Sequence, residues 1–365
     1  MRLADLQTPC LVLDRGILQR NIDAMARAVA RHGVPLRPHM KTAKSIDVAR
    51  LALAGQPGGI TVSTLAEAEY FAGRGIADIL YAVGITPQKL DRVAHLNAAG
   101  ADVIVLTDDA DAASAIAAHP RSPRALIEID TGEGRGGVSA DDGLLLEIAS
   151  RLGPRLAGVM THAGHSYAGR SPDEMARIAE AERLGVVQAA QRLRGAGHSA
   201  AIVSMGSSPT ALHARHLDGV TEVRAGVYMF GDLFQAEIAT HAIDAIALTV
   251  LTSVIGRKPG RLLVDAGGLA LSKDRSTADA PRDYGFGLVL DAAGRHSHGD
   301  ALLRRAYQEH GVVEPDRARP LDLPVGALLR IAPNHTCMTA AAHDRYFVVD
   351  GGDEVVAVWP RMNGW

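Results

Sequence analysis

The sequence predicts an α/β protein: a (β/α)8 TIM-like barrel followed by a smaller, mostly β C-terminal domain. Three observations carry this reading. Short strand patterns alternate with helical patterns about eight times between residues 10 and 240. Those strands are continuously apolar, as in a parallel sheet covered on both faces. From about Ile243 the helical periodicity stops, and β-rich runs separated by glycine turns replace it. The expected domains are residues 10–240 for the barrel and residues 241–365, joined by 1–9, for the β domain. A chain of 365 residues, 47% of them hydrophobic, is long enough for one large core and one smaller one.

In order, strands are expected at Cys10-Leu11-Val12-Leu13-Asp14, in the run Val34 to Lys41, at Ile60-Thr61-Val62-Ser63, and at Asp78 to Val83. Further strands follow at Asp102 to Leu106, Ala125 to Asp130, Leu156 to Thr161, Ala201 to Ser204 and Glu222 to Tyr228. Helical spacing fills the gaps, for example Ile17, Ile22, Met25 and Val29 in the first. Gly75 and Gly100 stand where C-capping glycines belong. The second domain is read from Ala245 to Gly256, Arg261 to Asp265 and Arg345 to Asp350. Between them, 273–323 reads as polar and irregular, the texture of a functional loop.

The charge balance is even, 38 basic against 41 acidic residues, with no basic block. That argues against nucleic acid and against an anionic membrane surface. No apolar run reaches the ~18 residues of a membrane span, and MRLADLQTPCLVLD lacks a signal-peptide layout. Two cysteines, Cys10 and Cys337, make no disulfide framework. The expectation is a cytoplasmic protein acting on a small molecule.

The stretch Leu36-Arg37-Pro38-His39-Met40-Lys41 is the centre of the reading. Pro38 keeps Arg37 extended, so Lys41 falls at a strand-to-helix junction, the end of a barrel that faces the active site. A lysine there is a candidate imine former, with Arg37, His39 and Lys44 available as neighbouring positive groups; a solvated lysine opening a helix is the alternative. Other informative residues also follow strands: Asp130-Thr131-Gly132-Glu133-Gly134-Arg135, Thr161-His162-Ala163-Gly164-His165-Ser166-Tyr167, and Gly206-Ser207-Ser208. Together with Gly226-Val227, the last of these suits a phosphate cradle, because glycines admit close backbone approach and serines add donors. In the β domain, Pro333-Asn334-His335-Thr336-Cys337 places an imidazole and a thiol two residues apart. On an extended segment they share a side, as in an open zinc site completed by substrate and water; a buried cysteine beside an ordinary histidine is the alternative.

These motifs, with Thr8-Pro9-Cys10, RPHMKTAKS, EIDTGEGRGGV, THAGHSY, SMGSSPTA, EVRAGVYMFGD, LVDAGG, QEHG and LRIAPNHTCMTAA, make the chain resemble the two-domain fold-type III pyridoxal-phosphate enzymes. That family holds D-serine dehydratase, D-threo-3-hydroxyaspartate dehydratase and D-threonine aldolase, built on an alanine racemase-like barrel. The resemblance covers essentially the whole chain. It implies pyridoxal 5'-phosphate and a divalent metal (Zn2+, or Mn2+ or Mg2+) as cofactors, and a homodimer. By the same resemblance Lys41 would hold the cofactor and move the Cα proton, while Ser207, Ser208, Gly226 and Val227 would hold its phosphate. His162 would lie against the pyridine ring, Arg135 near its phenolic oxygen, Tyr167 nearby and Arg224 at the ring nitrogen. His335 and Cys337 match the metal ligands of the dehydratases, where typical aldolases carry an Asp in place of Cys337.

The implied activity is a lyase acting on D-β-hydroxy-α-amino acids. A dehydratase, making a 2-oxo acid and ammonia, is favoured by Cys337. The alternative is an aldolase, making glycine and an aldehyde. A β-carboxylate on the substrate would need an added cation, for which Lys273, Arg275, Arg282 and His310 are candidates. A racemase would use the same barrel but needs a second base opposite Lys41. A non-catalytic cofactor carrier would lack the β domain.

Overall fold

The computed structural model describes residues 1–315 and 321–365. The elements run β1 (Cys10–Asp14), α1 (Arg15–Ala30), β2 (Leu36–Pro38), α2 (Ile46–Leu53), β3 (Ile60–Val62), α3 (Leu65–Ala72), β4 (Asp78–Gly84), α4 (Leu90–Ala98), β5 (Asp102–Thr107), α5 (Ala110–Ala118), β6 (Ala125–Ile129) and α6 (Gly143–Leu152). They continue β7 (Leu156–Thr161), α7 (Pro172–Gly195), β8 (Ile202–Met205), α8 (Ser208–His213), β9 (Glu222–Ala225), α9 (Leu233–Glu237), β10 (Leu248–Lys258), β11 (Arg261–Val264) and α10 (Gly268–Leu271). The last are β12 (Leu288–Asp291), β13 (Leu302–Ala306), β14 (Gly311–Glu314), β15 (Leu328–Ala332), α11 (Thr336–Ala340), β16 (Arg345–Val349) and β17 (Ala357–Pro360). Two compact units result: Ala24–Gly226 with Met362–Trp365, and Met1–Asp23 with Val227–Arg361.

The first unit is the barrel. Its eight strands are parallel, in the order β2-β9-β8-β7-β6-β5-β4-β3. A bridge between His39 and Thr61, with Met40 N–H donating to the Thr61 carbonyl at 2.8 Å, joins the end of β2 to β3 and closes the ring. The strands are buried along most of their length, β7 at all six residues and β4 at Ile79, Leu80 and Tyr81, which is why they read as apolar runs. The helices behind them start on side-chain caps that the sequence supplies. Thr64, Asp109, Asp142, Ser171 and Ser207 each accept a backbone N–H in the first turn.

Among the described residues the second unit is a nine-stranded sheet, β11-β14-β13-β12-β15-β10-β1-β16-β17, in which β11 also pairs with β10 so that β10 to β15 close on themselves. Every pairing is antiparallel except β1 with β16. Leu233, Ile246, Tyr284, Leu288, Leu290, Leu302 and Ala332 form one of its cores.

Two expectations change here. Cys10 to Asp14 belongs to the β unit and not to the barrel, hydrogen-bonded between β10 and β16. All five of its residues are buried, and a strand covered on both faces has the same apolar signature in either sheet. Segment 273–323 is not irregular throughout, since β12, β13 and β14 lie within it. They escape notice because they are four or five residues long and β13 carries a bulge and two exposed arginines. Residues 316–320 of that segment lie outside the described residues.

Candidate active site

The barrel gathers its chemistry at one end, where strands finish. Lys41 follows β2 in a tight turn, closed by the Lys44 N–H donating to the Met40 carbonyl at 2.8 Å, and its side chain is exposed. His162 is the first residue after β7, with Nδ1 donating to the Gly206 carbonyl after β8 at 3.0 Å. That bond fixes the tautomer and leaves Nε2 as the basic nitrogen. Burial, then the charge of Lys41, push the His162 pKa down to about 3, so the ring is neutral. Tyr167 lies beside it, ring centroids 6.5 Å apart. Burial, Lys41 and Arg224 hold His39 well below the ordinary histidine range as well.

Arg224, on β9, is buried. Nη1 donates to Ser204 Oγ at 2.6 Å and Nη2 to the Thr161 carbonyl at 2.5 Å. Ser204 in turn donates to Glu222 at 2.6 Å, and Glu222 accepts from Arg37 Nε at 2.8 Å. Burial lowers the Arg224 pKa, opposed by Glu222, Glu182 and Glu128. A guanidinium buried among neutral acceptors and remote carboxylates is held rigidly and stays a cation.

After β8, Ser207 caps α8. Its hydroxyl meets Thr210 Oγ1 at 3.0 Å and Ser166 Oγ at 2.9 Å. Gly206 has φ +131°, and a Cβ there would stand 2.3 Å from the Arg224 carbonyl oxygen, so only glycine lets the β8 and β9 ends approach. Gly226 follows β9, and Val227 is the first residue of the other unit. Arg135 sits exposed in the loop after β6. That loop is organised by Asp130, whose Oδ1 accepts the N–H groups of Gly132, Glu133 and Gly134 at 2.9, 3.0 and 3.1 Å. A lysine, two serine hydroxyls, a buried arginine and a neutral imidazole at one barrel mouth form a donor set that fits a phosphorylated pyridine aldehyde.

Two of the positive neighbours expected for Lys41 are engaged elsewhere. Arg37 is buried against Glu222 and bonded to both oxygens of Asp78 at 2.8 and 3.1 Å. Lys44 pairs with the fully buried Glu67 at 3.1 Å. The third, His39, is neutral.

In the β unit, His335 and Cys337 do not share an extended segment. His335 caps α11 with φ −138° and Cys337 lies in its first turn, yet the imidazole and thiol remain in contact. His335 Nδ1 is 3.0 Å from Asp274 Oδ2, which leaves Nε2 as the nitrogen for a metal. Burial opposes charge on His335, but Asp274 and Cys337 outweigh it and hold its pKa up to about 11, while Asp274 is held down to about 2 against its own burial. Asn334 fastens the segment beneath, donating to the Asp274 and Gly285 carbonyls at 3.3 and 2.6 Å. Buried Asp232, pushed up to about 6 by burial, accepts the Thr336 N–H at 3.0 Å. Among the described residues no group of three His, Cys, Asp or Glu forms a closed metal site. An imidazole with a carboxylate behind it and a thiol beside it fits a divalent ion that takes its remaining ligands from outside the protein.

Three of the cations considered for a substrate carboxylate have partners inside the β unit. Lys273 Nζ donates to the Ala306 carbonyl at 2.5 Å, Arg275 pairs with Asp283 at 2.8 Å and Arg282 with Asp300 at 2.7 Å. His310 lines a cavity of about 440 Å3 with Asp265, Gln308, Glu309 and His343.

Residues 13–233 match the alanine racemase N-terminal domain and residues 247–349 the putative serine dehydratase domain. The chain is 46% identical, over all of its length and 99% of the relative's, to D-threo-3-hydroxyaspartate dehydratase of Delftia sp. (strain HT23). The chain belongs to this family. Members are pyridoxal phosphate-dependent dehydratases and aldolases, and the protein is an enzyme of the lyase type. The solved Delftia structure covers the whole chain with TM-score 0.95 at 45% identity. Structures of that dehydratase also exist with a His→Ala and, in the metal-free form, with a Cys→Ala substitution two positions on. The family's aldolases include 3-hydroxy-D-aspartate aldolase of Paracoccus denitrificans, 32% identical over 98% of this chain and 92% of the relative. Alanine racemase from Bacillus anthracis, 17% identical with TM-score 0.72, shares the fold. No helix among the described residues is long and apolar enough to cross a membrane.

Sequence reasoning missed Glu182, Glu222, Asp232 and Asp274, and gave Ser204, at the end of its strand, no role of its own. Glu182 had a signal: it stands on the buried stripe of α7 between Ala179 and Val186, where a carboxylate needs donors. Asp274 had none, because only the return of segment 274–285 beneath Asn334 brings it to His335.

Proposed function

We propose that this enzyme is a pyridoxal phosphate- and divalent metal-dependent dehydratase of D-3-hydroxy-α-amino acids, converting D-threo-3-hydroxyaspartate or D-serine to a 2-oxo acid and ammonia. The observation that carries it is the 46% identity to a D-threo-3-hydroxyaspartate dehydratase across the whole chain, with Cys337 beside His335. When bound, the pyridine cofactor supplies an electron sink for charge developing at Cα, and the metal a Lewis acid for the departing hydroxide.

In this reading the Lys41 amine anchors the cofactor and takes the Cα proton on Nζ. Ser207 and Ser208, with the backbone at Gly226 and Val227, hold the phosphate. His162, neutral and fixed through Gly206, packs against the ring, with Tyr167 beside it and Arg135 at the phenolic oxygen. Arg224 faces the ring nitrogen and keeps it unprotonated, because a proton there would meet a fixed cation. That weakens the sink and makes help from a metal at the leaving group necessary. His335 Nε2 and the Cys337 sulfur hold the metal, Asp274 orients the imidazole, and a homodimer is the working assembly.

The second reading, retro-aldol cleavage to glycine and an aldehyde, is favoured by the full-length match to 3-hydroxy-D-aspartate aldolase. Product analysis separates the two. Purified enzyme with pyridoxal phosphate and zinc or manganese is given D-serine, D-threonine and D-threo-3-hydroxyaspartate. Oxo acid with ammonia supports the dehydratase, and glycine with an aldehyde replaces it by the aldolase. Turnover with none of them, despite bound cofactor, leaves a carrier.

A further inference from the structure

Glu182 has no part in the chemistry above, yet it is fully buried on α7 behind the loops that carry His162 and Ser207. One of its oxygens, Oε1, accepts two backbone N–H groups, from Ala163 at 3.0 Å and from Gly206 at 3.0 Å. Ala163 is the residue after His162, and Gly206 the residue before Ser207. Gly206 is therefore held from both sides, its N–H by Glu182 and its carbonyl by His162 Nδ1 at 3.0 Å. The Thr210 hydroxyl, which also meets Ser207 Oγ, faces the same carboxyl group. A buried carboxylate costs free energy that leucine at this position would not. What it supplies in return is one rigid acceptor shared by two loops.

We infer that Glu182 is a positioning residue that locks the β7–α7 and β8–α8 loops into the register needed to bind the cofactor's phosphate. The inference rests on the proposed cofactor site. It predicts that Glu182 serves the phosphate and not the barrel as a whole, so its removal discriminates between pyridoxal phosphate and pyridoxal. A carboxylate needed only for stability would weaken both ligands alike.

The test is absorbance titration of the full-length, cofactor-free protein with each ligand. Wild type binding no pyridoxal phosphate at all overturns the cofactor site itself, a result separate from the following ones. With wild-type binding in hand, Glu182→Leu, similar in size, and Glu182→Ala are expected to lose roughly tenfold or more in pyridoxal phosphate affinity and less than about threefold for pyridoxal. Glu182→Gln is expected to stay within about threefold of wild type, since its amide oxygen accepts the same two N–H groups. The inference is overturned if the Leu and Ala variants weaken both ligands equally. It is also overturned if Glu182→Gln discriminates against the phosphate as strongly as they do.

Discussion

Glu222→Ala probes the polar column inside the barrel. Glu222 joins Arg37, at 2.8 Å, to the Ser204 hydroxyl that holds Arg224. The side chains of Arg37 and Glu222 are 8% and 11% exposed, so the pair is buried, whereas Asp78, the other partner of Arg37, is 44% exposed. Removing Glu222 leaves Arg37 Nε and the Ser204 hydroxyl without their buried acceptor, and about 3–5 kcal/mol is expected. Asp78→Ala removes a half-exposed partner and one backbone bond from Gly59, and about 1–2 kcal/mol is expected. With a slope of about 3 kcal/mol per molar urea, the Glu222→Ala midpoint falls by roughly 1–1.7 M and the Asp78→Ala midpoint by roughly half as much or less. Urea unfolding of the cofactor-free protein, followed by far-ultraviolet circular dichroism, measures both. A Glu222→Ala shift below about 0.3 M, or Asp78→Ala proving the worse of the two, would refute burial as the origin of the difference.

Three further predictions follow from the sites. Lys41→Ala should abolish the absorbance near ~420 nm expected of lysine-bound cofactor; an unchanged spectrum removes Lys41 from the assignment. Asp274→Ala should weaken metal binding about 10–100-fold, measured by chelator competition, while the cofactor spectrum stays as in wild type. Metal affinity within about twofold of wild type would mean that Asp274 does not orient His335. His162, ordinarily near 6.5 and here near 3, is neutral when folded. The unfolded chain therefore binds the proton more readily, and the His162 contribution is complete above pH 6.5 and lost progressively as pH falls toward about 3. In urea midpoints of the cofactor-free protein taken across that window, His162→Gln should flatten the slope; an identical slope would place the acid sensitivity elsewhere, with His39 the first alternative.

By itself the sequence determined the periodic features. Continuous apolar strands, helical spacing and the helix-ending glycines Gly75 and Gly100 are local, and they announced the parallel barrel and the residues that end its strands, Lys41, His162 and Ser207 among them. The pairing of β1 was a tertiary decision, because a strand buried on both faces carries no mark of which sheet will take it. So was the fate of charged residues: Arg37 and Lys44 look like neighbours of Lys41 along the chain, but long side chains are directed by the partners that folding supplies, Glu222, Asp78 and Glu67. Asp274 and Glu182 show the same limit. A hydrogen bond across 61 residues to His335, or from one helix to two loops, is set by how the chain returns, and no local pattern encodes that return.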